Sequence, residues 1–313
     1  MTNTISPQSP AAWRDPALGA RRELALPQGT LPVFDSGSGD PIVFVHGLLV
    51  NANLWRKIIP AFSGEYRCVA IDLPFGSHTA AMPDADLTPP GLAALVIAAI
   101  EALDLGPVTL VGNDSGGAVS QLVLAARPDL VARLVLTSCD AYENFPPSFF
   151  DYLGLAARTP GALTSLAATM RLRPVRRLPI AYGWLARRPI DRAASDSYAL
   201  PVGAKGIRAD VRRAITGLDR RYTLSAARTF ADFKNPVLLA WSAGDRFFPE
   251  RYAERMAVDF PDARIEWIHD SGTFSPEDQP EQLIRAIRVF LNDQKSPPSN
   301  PPKSPKSVPP PKS

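Results

Sequence analysis

Ten residues, Thr109-Leu110-Val111-Gly112-Asn113-Asp114-Ser115-Gly116-Gly117-Ala118, constrain this chain more than any other stretch. Val108, Leu110 and Val111 predict a short buried strand, and Ala118 to Ala126 predict a helix, with only a few residues between them. A turn that tight forces its apical residue into strained backbone geometry, so small residues must stand two positions before and after it. Gly112 and Gly116 stand there around Asp114. A Gly-x-nucleophile-x-Gly elbow of this kind aims one side chain at the mouth of a sheet, beside a helix N-terminus. Framed on Ser115 instead, the elbow needs a small residue at 113, where Asn113 stands. The Asp114 frame fits both glycines and leaves Ser115 to supply a backbone N–H. An aspartate that only caps a helix explains Asp114 but not the paired glycines.

Around the elbow, strands alternate with helices. Arg22–Leu26 and Leu31–Phe34 predict two strands joined across Pro-Gln-Gly. The continuous apolar run Ile42–Val45 predicts a central parallel strand that ends in His46-Gly47-Leu48-Leu49. A helix is predicted over Trp55–Phe62, and Cys68–Ile71 predicts a further strand ending at Asp72-Leu73-Pro74. Thr88 caps a helix from Pro89 to Leu103 with one apolar face. Ala132–Thr137, Val237–Trp241 and Arg264–Ile268 predict strands; Pro249–Asp259 and Gln279–Leu291 predict helices. The alternation implies an α/β fold with a doubly wound, mostly parallel sheet, built from 21–139 and 235–293. Residues 140–234 lose strand texture and gain arginines with Gly and Pro breaks, which predicts a helical cap over the C-terminal ends of the strands. Residues 1–20, polar and rich in Pro and Ser, predict a flexible leader. The Pro/Lys/Ser repeats of 294–313 cannot build a core and predict a disordered tail.

Composition narrows the classes of partner. The 313 residues are 45% hydrophobic, with mean hydropathy −0.05, which describes a soluble globular chain. Net charge is +3, with acids and bases mixed along the chain, so nucleic acid is not an implied partner. No apolar run approaches the roughly 18 residues of a membrane span, and no basic region followed by an apolar run marks a secretory signal, so no membrane partner is expected. Cys68 and Cys139 lie in separate apolar runs and are expected to be reduced core residues, in keeping with a cytoplasmic location. No cofactor and no metal are expected. The partner implied is a small molecule, and the sequence leaves the oligomeric state open.

His46-Gly47, Asp72-Leu73-Pro74, the elbow, and the strand ending Ala243-Gly244-Asp245, in that order, resemble the α/β-hydrolase superfamily over about residues 21–293. The aspartate elbow looks most like that of haloalkane dehalogenases and epoxide hydrolases. The resemblance implies an oxyanion hole from the backbone N–H groups of Leu48 and Ser115. It implies Asp245 as the catalytic acid, for which a turn-capping aspartate is the plain alternative, and Asp140 as a second position where the family carries that acid. Relatives end the last core strand in Gly-His-Phe, with the histidine as base. Here the run is Asp270-Ser271-Gly272-Thr273-Phe274, and Thr273 takes the histidine's place.

The chain has three histidines to replace that base. His269 lies four residues upstream, about 13 Å in extended chain. His46 belongs to the oxyanion loop, and His78 to a loop at the expected pocket rim, where a solvated side chain is the default. The residues that hold halide in related dehalogenases are replaced by Leu48 and Ser115. Four cap tyrosines, Tyr152, Tyr182, Tyr198 and Tyr222, are available to activate an epoxide oxygen. Three functions follow as expectations. The first is a hydrolase of a small, largely apolar molecule, with Asp114 as nucleophile and an atypical or missing base. The others are a non-hydrolytic lyase, isomerase or cyclase, and a pseudo-enzyme that binds a small apolar ligand. The helix N-terminus and two N–H donors are expected to lower the Asp114 pKa.

Overall fold

The apolar runs become the strands of one sheet. The computed structural model describes residues 5–293, so the predicted tail 294–313 lies outside the described residues. The strands are β1 (Ala20–Leu26), β2 (Gly29–Ser36), β3 (Pro41–Val45), β4 (Arg67–Ile71), β5 (Val108–Asp114), β6 (Val131–Cys139), β7 (Val237–Ser242) and β8 (Ala263–Ile268). They pair in the order β1-β2-β4-β3-β5-β6-β7-β8. β2 runs antiparallel to β1 and to β4, and every other neighbouring pair is parallel. Parallel strands covered on both faces read as unbroken apolar runs, and Val43, Phe44, Val45, Leu110 and Val111 are all fully buried. The mostly parallel α/β sheet is the fold class expected from the sequence.

Helix α1 (Pro89–Ala102) starts at Thr88, whose hydroxyl accepts from the Gly91 N–H, and α2 (Ser115–Ala126) follows β5 with no intervening residue. Between β6 and β7 the described residues form α3 (Asp151–Arg158), α4 (Ala162–Thr169), α5 (Arg173–Arg176), α6 (Arg192–Ala199), α7 (Lys205–Gly217) and α8 (Arg220–Ala227), with no strand among them. Then come α9 (Glu250–Asp259), α10 (Ser275–Asp278) and α11 (Pro280–Asp293). Helices α3, α4 and α7 bury a small core of their own from Leu153, Leu163, Ile207 and Val211, against which Leu48 and Leu49 pack. Each such side chain contributes about 1.5–3 kcal/mol by leaving water.

Two sequence expectations fail locally. The described part of the leader, residues 5–19, is not loose. Ser9 and Asp15 cap two short 3-10 turns that begin at Pro10 and Pro16, and Leu18 is fully buried. The Arg14 guanidinium is buried against Asp72 Oδ2 at 2.8 Å and also donates to the Ser77 carbonyl. Polar composition suggested disorder because the acceptors lie some sixty residues away. The segment 55–62 is not one helix but two 3-10 turns, Ala52–Trp55 and Ile59–Ala61, the second with Pro60 inside it. Proline lacks the N–H that a continuous helix would use. Cys68 and Cys139 are free and buried.

Candidate active site

Asp114 sits where β5 meets α2 with φ 54° and ψ −133°, a conformation that costs a non-glycine residue about 1–3 kcal/mol. Its side chain makes no helix-capping hydrogen bond. The neighbouring glycines leave room for this turn by close approach. A Cβ on Gly116 would stand 2.4 Å from the Val45 carbonyl oxygen, and one on Gly47 would stand 2.2 Å from Asp114 Oδ2. Asp114 is 8% exposed and lines a cavity of about 360 Å³. The rest of the wall is mainly apolar, with Leu49, Phe150, Met170 and Ile215 among its side chains. Leu48 and Ser115 also line it, and their backbone N–H groups both donate to the Asp114 carboxylate.

Those donors do not win. Burial pushes the Asp114 carboxyl well above the usual carboxylate range, the charge of Asp245 adds to the rise, and the two N–H groups oppose it. The expected lowering is therefore reversed, because a closed apolar wall removes more hydration than two donors restore.

Asp245 follows β7 and is almost fully buried. Its Oδ1 accepts from the N–H groups of Phe247 at 2.9 Å and Phe248 at 3.1 Å, and from the Thr273 hydroxyl at 3.1 Å. Burial raises its pKa despite these bonds. Asp140, just beyond β6, is buried with no regular hydrogen bond to either carboxylate oxygen. Burial and then the charge of Asp114 raise it well above the ordinary value, while the nearby Ser115 hydroxyl favours its charged form. Three carboxyl groups thus meet at one end of the sheet. Among the described residues, no Lys, Arg or His forms an ion pair with any of them.

Thr273 is fully buried beside Asp245, and its main chain is fixed as firmly as its hydroxyl. Asn113, next to the elbow apex, donates its amide to the Thr273 carbonyl at 2.8 Å. The Phe274 N–H donates to the Leu185 carbonyl, and Asp278 accepts from the N–H groups of Gly272, Arg187 and Arg188, each at 2.8 Å. Neither Thr273, Asp245 nor Asp140 lines the cavity; Asp114, Leu48 and Ser115 do.

The histidines lie elsewhere. His46 is buried and pushed down to about 4 by loss of hydration. Its Nε2 accepts from the Leu73 N–H at 2.9 Å, which leaves the proton on Nδ1, 2.8 Å from the Gly47 carbonyl. It ties two loops together and has no nitrogen left for a substrate. His78 is not solvated: it is buried, with Nε2 3.0 Å from Asp210 on α7. Burial raises Asp210, but hydrogen bonds from His78, the Met82 N–H and Arg213 outweigh it and hold the carboxyl below its ordinary value. His269 is exposed, and its backbone pairs with Gln282. No histidine lines the cavity.

Three of the four candidate tyrosines, Tyr152, Tyr182 and Tyr198, reach the cavity wall; Tyr222 does not. The Tyr152 hydroxyl donates to the Ile180 carbonyl, Tyr182 to the Leu49 carbonyl, and Tyr198 to Glu277. Each hydroxyl therefore already has an acceptor. The anchoring roles of Asn113 and Asp278 went unread in the sequence. An asparagine inside a buried strand was the available signal for the first, and nothing local marked the second.

The chain is similar to several known proteins. An uncharacterized hydrolase of Bacillus subtilis, YugF, is 26% identical over 260 residues, which is 80% of this chain and 89% of that protein. A cis-3-alkyl-4-alkyloxetan-2-one decarboxylase of Shewanella oneidensis is 24% identical over 281 residues, 84% of this chain and 85% of that one. The crystal structure of the haloalkane dehalogenase DatA from Agrobacterium tumefaciens superposes with a TM-score of 0.75 at 22% identity, covering 90% of this chain and 99% of that one, a likeness of fold. Residues 40–280, from the start of β3 through the loop that carries Thr273, match the model of the alpha/beta hydrolase fold, and the chain belongs to that family.

Proposed function

We propose that this protein is a hydrolase of a small, largely apolar organic molecule, with Asp114 as its nucleophile and helices α3–α7 as a lid over the site. The observation that carries the reading is the Asp114 carboxylate itself. It stands on a strained apex, nearly buried, in an apolar cavity, with the N–H groups of Leu48 and Ser115 turned toward it. Strain of that kind persists only where the surroundings enforce it.

In this reading one carboxylate oxygen attacks a substrate carbon. A C–O bond forms, the bond to the leaving group breaks, and the leaving group departs with the electron pair. The carbonyl oxygen of the resulting ester faces the same two N–H donors, which are then placed to stabilise charge when water attacks. Thr273 holds the place of the family's histidine and offers only a hydroxyl already bonded to Asp245. Without a general base the water step slows by roughly 10²–10⁴. The enzyme-bound ester should therefore accumulate.

A second reading, non-hydrolytic chemistry, draws on the raised Asp114 carboxyl, which can both hold and release a proton near neutrality. The Shewanella relative is named for a decarboxylation. Loss of carbon dioxide from a four-membered lactone consumes no water, so such a reaction needs no water-activating histidine.

Intact-mass measurement after incubation with alkyl bromides, terminal epoxides and short aryl esters tests the proposal. A stoichiometric adduct that is absent in Asp114→Asn supports the nucleophile. Turnover of any of these that survives in Asp114→Asn would overturn it. Absence of both adduct and turnover would leave the ligand-binding alternative.

A further inference from the structure

Positive charge is dense in the helical region between β6 and β7, where residues 205–228 carry seven basic and two acidic side chains. Residues 149–192 carry eight arginines and two aspartates, a net of +6, in a protein whose total is +3, so the remainder is net acidic. Exposed large apolar side chains gather in the same segment. Of eight such residues among those described, six are Phe149, Leu155, Leu172, Leu178, Ile180 and Trp184.

Several of these residues line adjoining hollows. Ile180, half exposed, and Arg158, also exposed, both line the apolar cavity, so its mouth opens among them. Tyr182 is shared between that cavity and an adjoining cleft of about 460 Å³ lined by Arg173, Arg176, Arg177, Arg187, Arg188 and Arg192. Gly183 and Arg187 carry the surface on to a hollow with Trp184 and Arg246, where the guanidinium lies 4.8 Å from the indole and Phe149 packs 5.4 Å away.

The arginines are unevenly neutralised. Arg173 and Arg176 share Asp196, and Arg187 and Arg188 share Asp270. Arg158, Arg171, Arg177 and Arg192 have no ion pair among the described residues. An electrostatic footprint alone would suit any polyanion. Exposed leucine, isoleucine and tryptophan among the cations suit a phase with an anionic face and an apolar interior.

We infer that the 149–192 lobe seats this protein on an anionic lipid surface, with the cavity mouth turned toward the lipid. This is contact from one side, not a span, and it concerns a surface that the absence of long apolar runs could not exclude. An apolar ligand dissolved in the bilayer then enters the cavity without crossing water. The inference does not depend on what Asp114 does.

Co-sedimentation of the full chain with vesicles tests it, using phosphatidylcholine alone and phosphatidylcholine with phosphatidylglycerol, at low and high salt. Binding is expected only with the anionic lipid. Each arginine near such a surface is worth about fivefold in partitioning, so Arg171, Arg177 and Arg192 changed together to Gln should weaken binding about 100-fold. Leu172→Ser with Leu178→Ser should remove the fraction that survives high salt, where screening leaves the apolar contacts. These positions avoid the cavity lining, and thermal unfolding of each variant reports on its fold. If the triple variant fails to fold, Arg177→Gln alone should still lose about fivefold. Failure of the wild-type protein to bind the anionic vesicles at low salt would overturn the inference. So would binding that the serine changes leave intact and that soluble heparin abolishes, because that pattern marks a polyelectrolyte site for nucleic acid or a similar chain.

Discussion

The Thr273 hydroxyl donates to Asp245 Oδ1 across 3.1 Å, and in the proposed reading Thr273 stands where a histidine base would stand. Asp245 also accepts from two backbone N–H groups, so what the proposed reading lacks is a group that could pass a proton on to water. Thr273→His should then shorten the life of an Asp114 ester by about 10²–10⁴ while leaving its rate of formation within a few fold. Time-resolved intact mass after a pulse of alkyl bromide measures both. An adduct that decays equally fast in the wild-type protein and the variant would show that the base lies elsewhere.

Formation of the adduct requires ionised Asp114, and burial holds that carboxyl above the ordinary range. The rate should fall on acidification with a midpoint clearly above pH 4, the region of an unperturbed aspartate. Initial rates of adduct formation across pH 4 to 9 give that midpoint. A profile that is flat above pH 5 would mean that the site is better hydrated than its geometry implies.

Asp140 provides a stability test with a defined sign. Its folded pKa is raised above the unfolded value, so its favourable contribution is complete below the unfolded pKa and is lost as pH rises through the folded one. Asp140→Asn removes the ionisation. It should stabilise the fold at pH 8 by about 1–2 kcal/mol, a few degrees in Tm, and the gain should shrink toward pH 4. Thermal unfolding at the two pH values is sufficient; a gain larger at pH 4 than at pH 8 would contradict the burial argument.

Arg14 and Asp72 form a buried pair between the N-terminal segment and the loop after β4. Removing one partner strands the other, so Arg14→Met should cost about 3–5 kcal/mol. Deleting residues 1–19 should cost at least as much, because Leu18 leaves the core as well. Denaturant unfolding of both variants would show the loss; unchanged midpoints would mean that the segment is only loosely docked.

The histidines separate structural from chemical roles. His78→Ala breaks the contact to Asp210 and should destabilise by about 1–3 kcal/mol without altering adduct formation at 25 °C. His269→Ala, at an exposed site, should change neither beyond ~0.5 kcal/mol. Loss of adduct turnover in His269→Ala would instead identify a distant base brought in by motion.

What the sequence made legible is what neighbouring residues decide. The elbow could be read because Gly112, Asp114 and Gly116 lie within five positions, and the central strands because Ile42–Val45 and Val108–Val111 are unbroken apolar runs. The expectations for Leu48 and Thr273 rested on position within motifs. The burial of His78 was not legible, since its partner Asp210 is 132 residues away. The same distance problem hid the docking of residues 5–19. The direction of the Asp114 shift was misjudged because a motif displays its N–H donors but not the apolar wall that the helices between β6 and β7 bring over them.

Asp278 gathers three N–H groups, one from the Thr273 loop and two from the segment between α5 and α6. Moving that segment away from the core would leave a buried carboxylate without two of its donors, a penalty of several kcal/mol. That segment is therefore latched to the core, and Arg158 and Ile180, exposed and on the cavity wall, mark the rim where the mouth opens. Rates of ligand entry should respond to the bulk of side chains on that rim and stay indifferent to those near the latch.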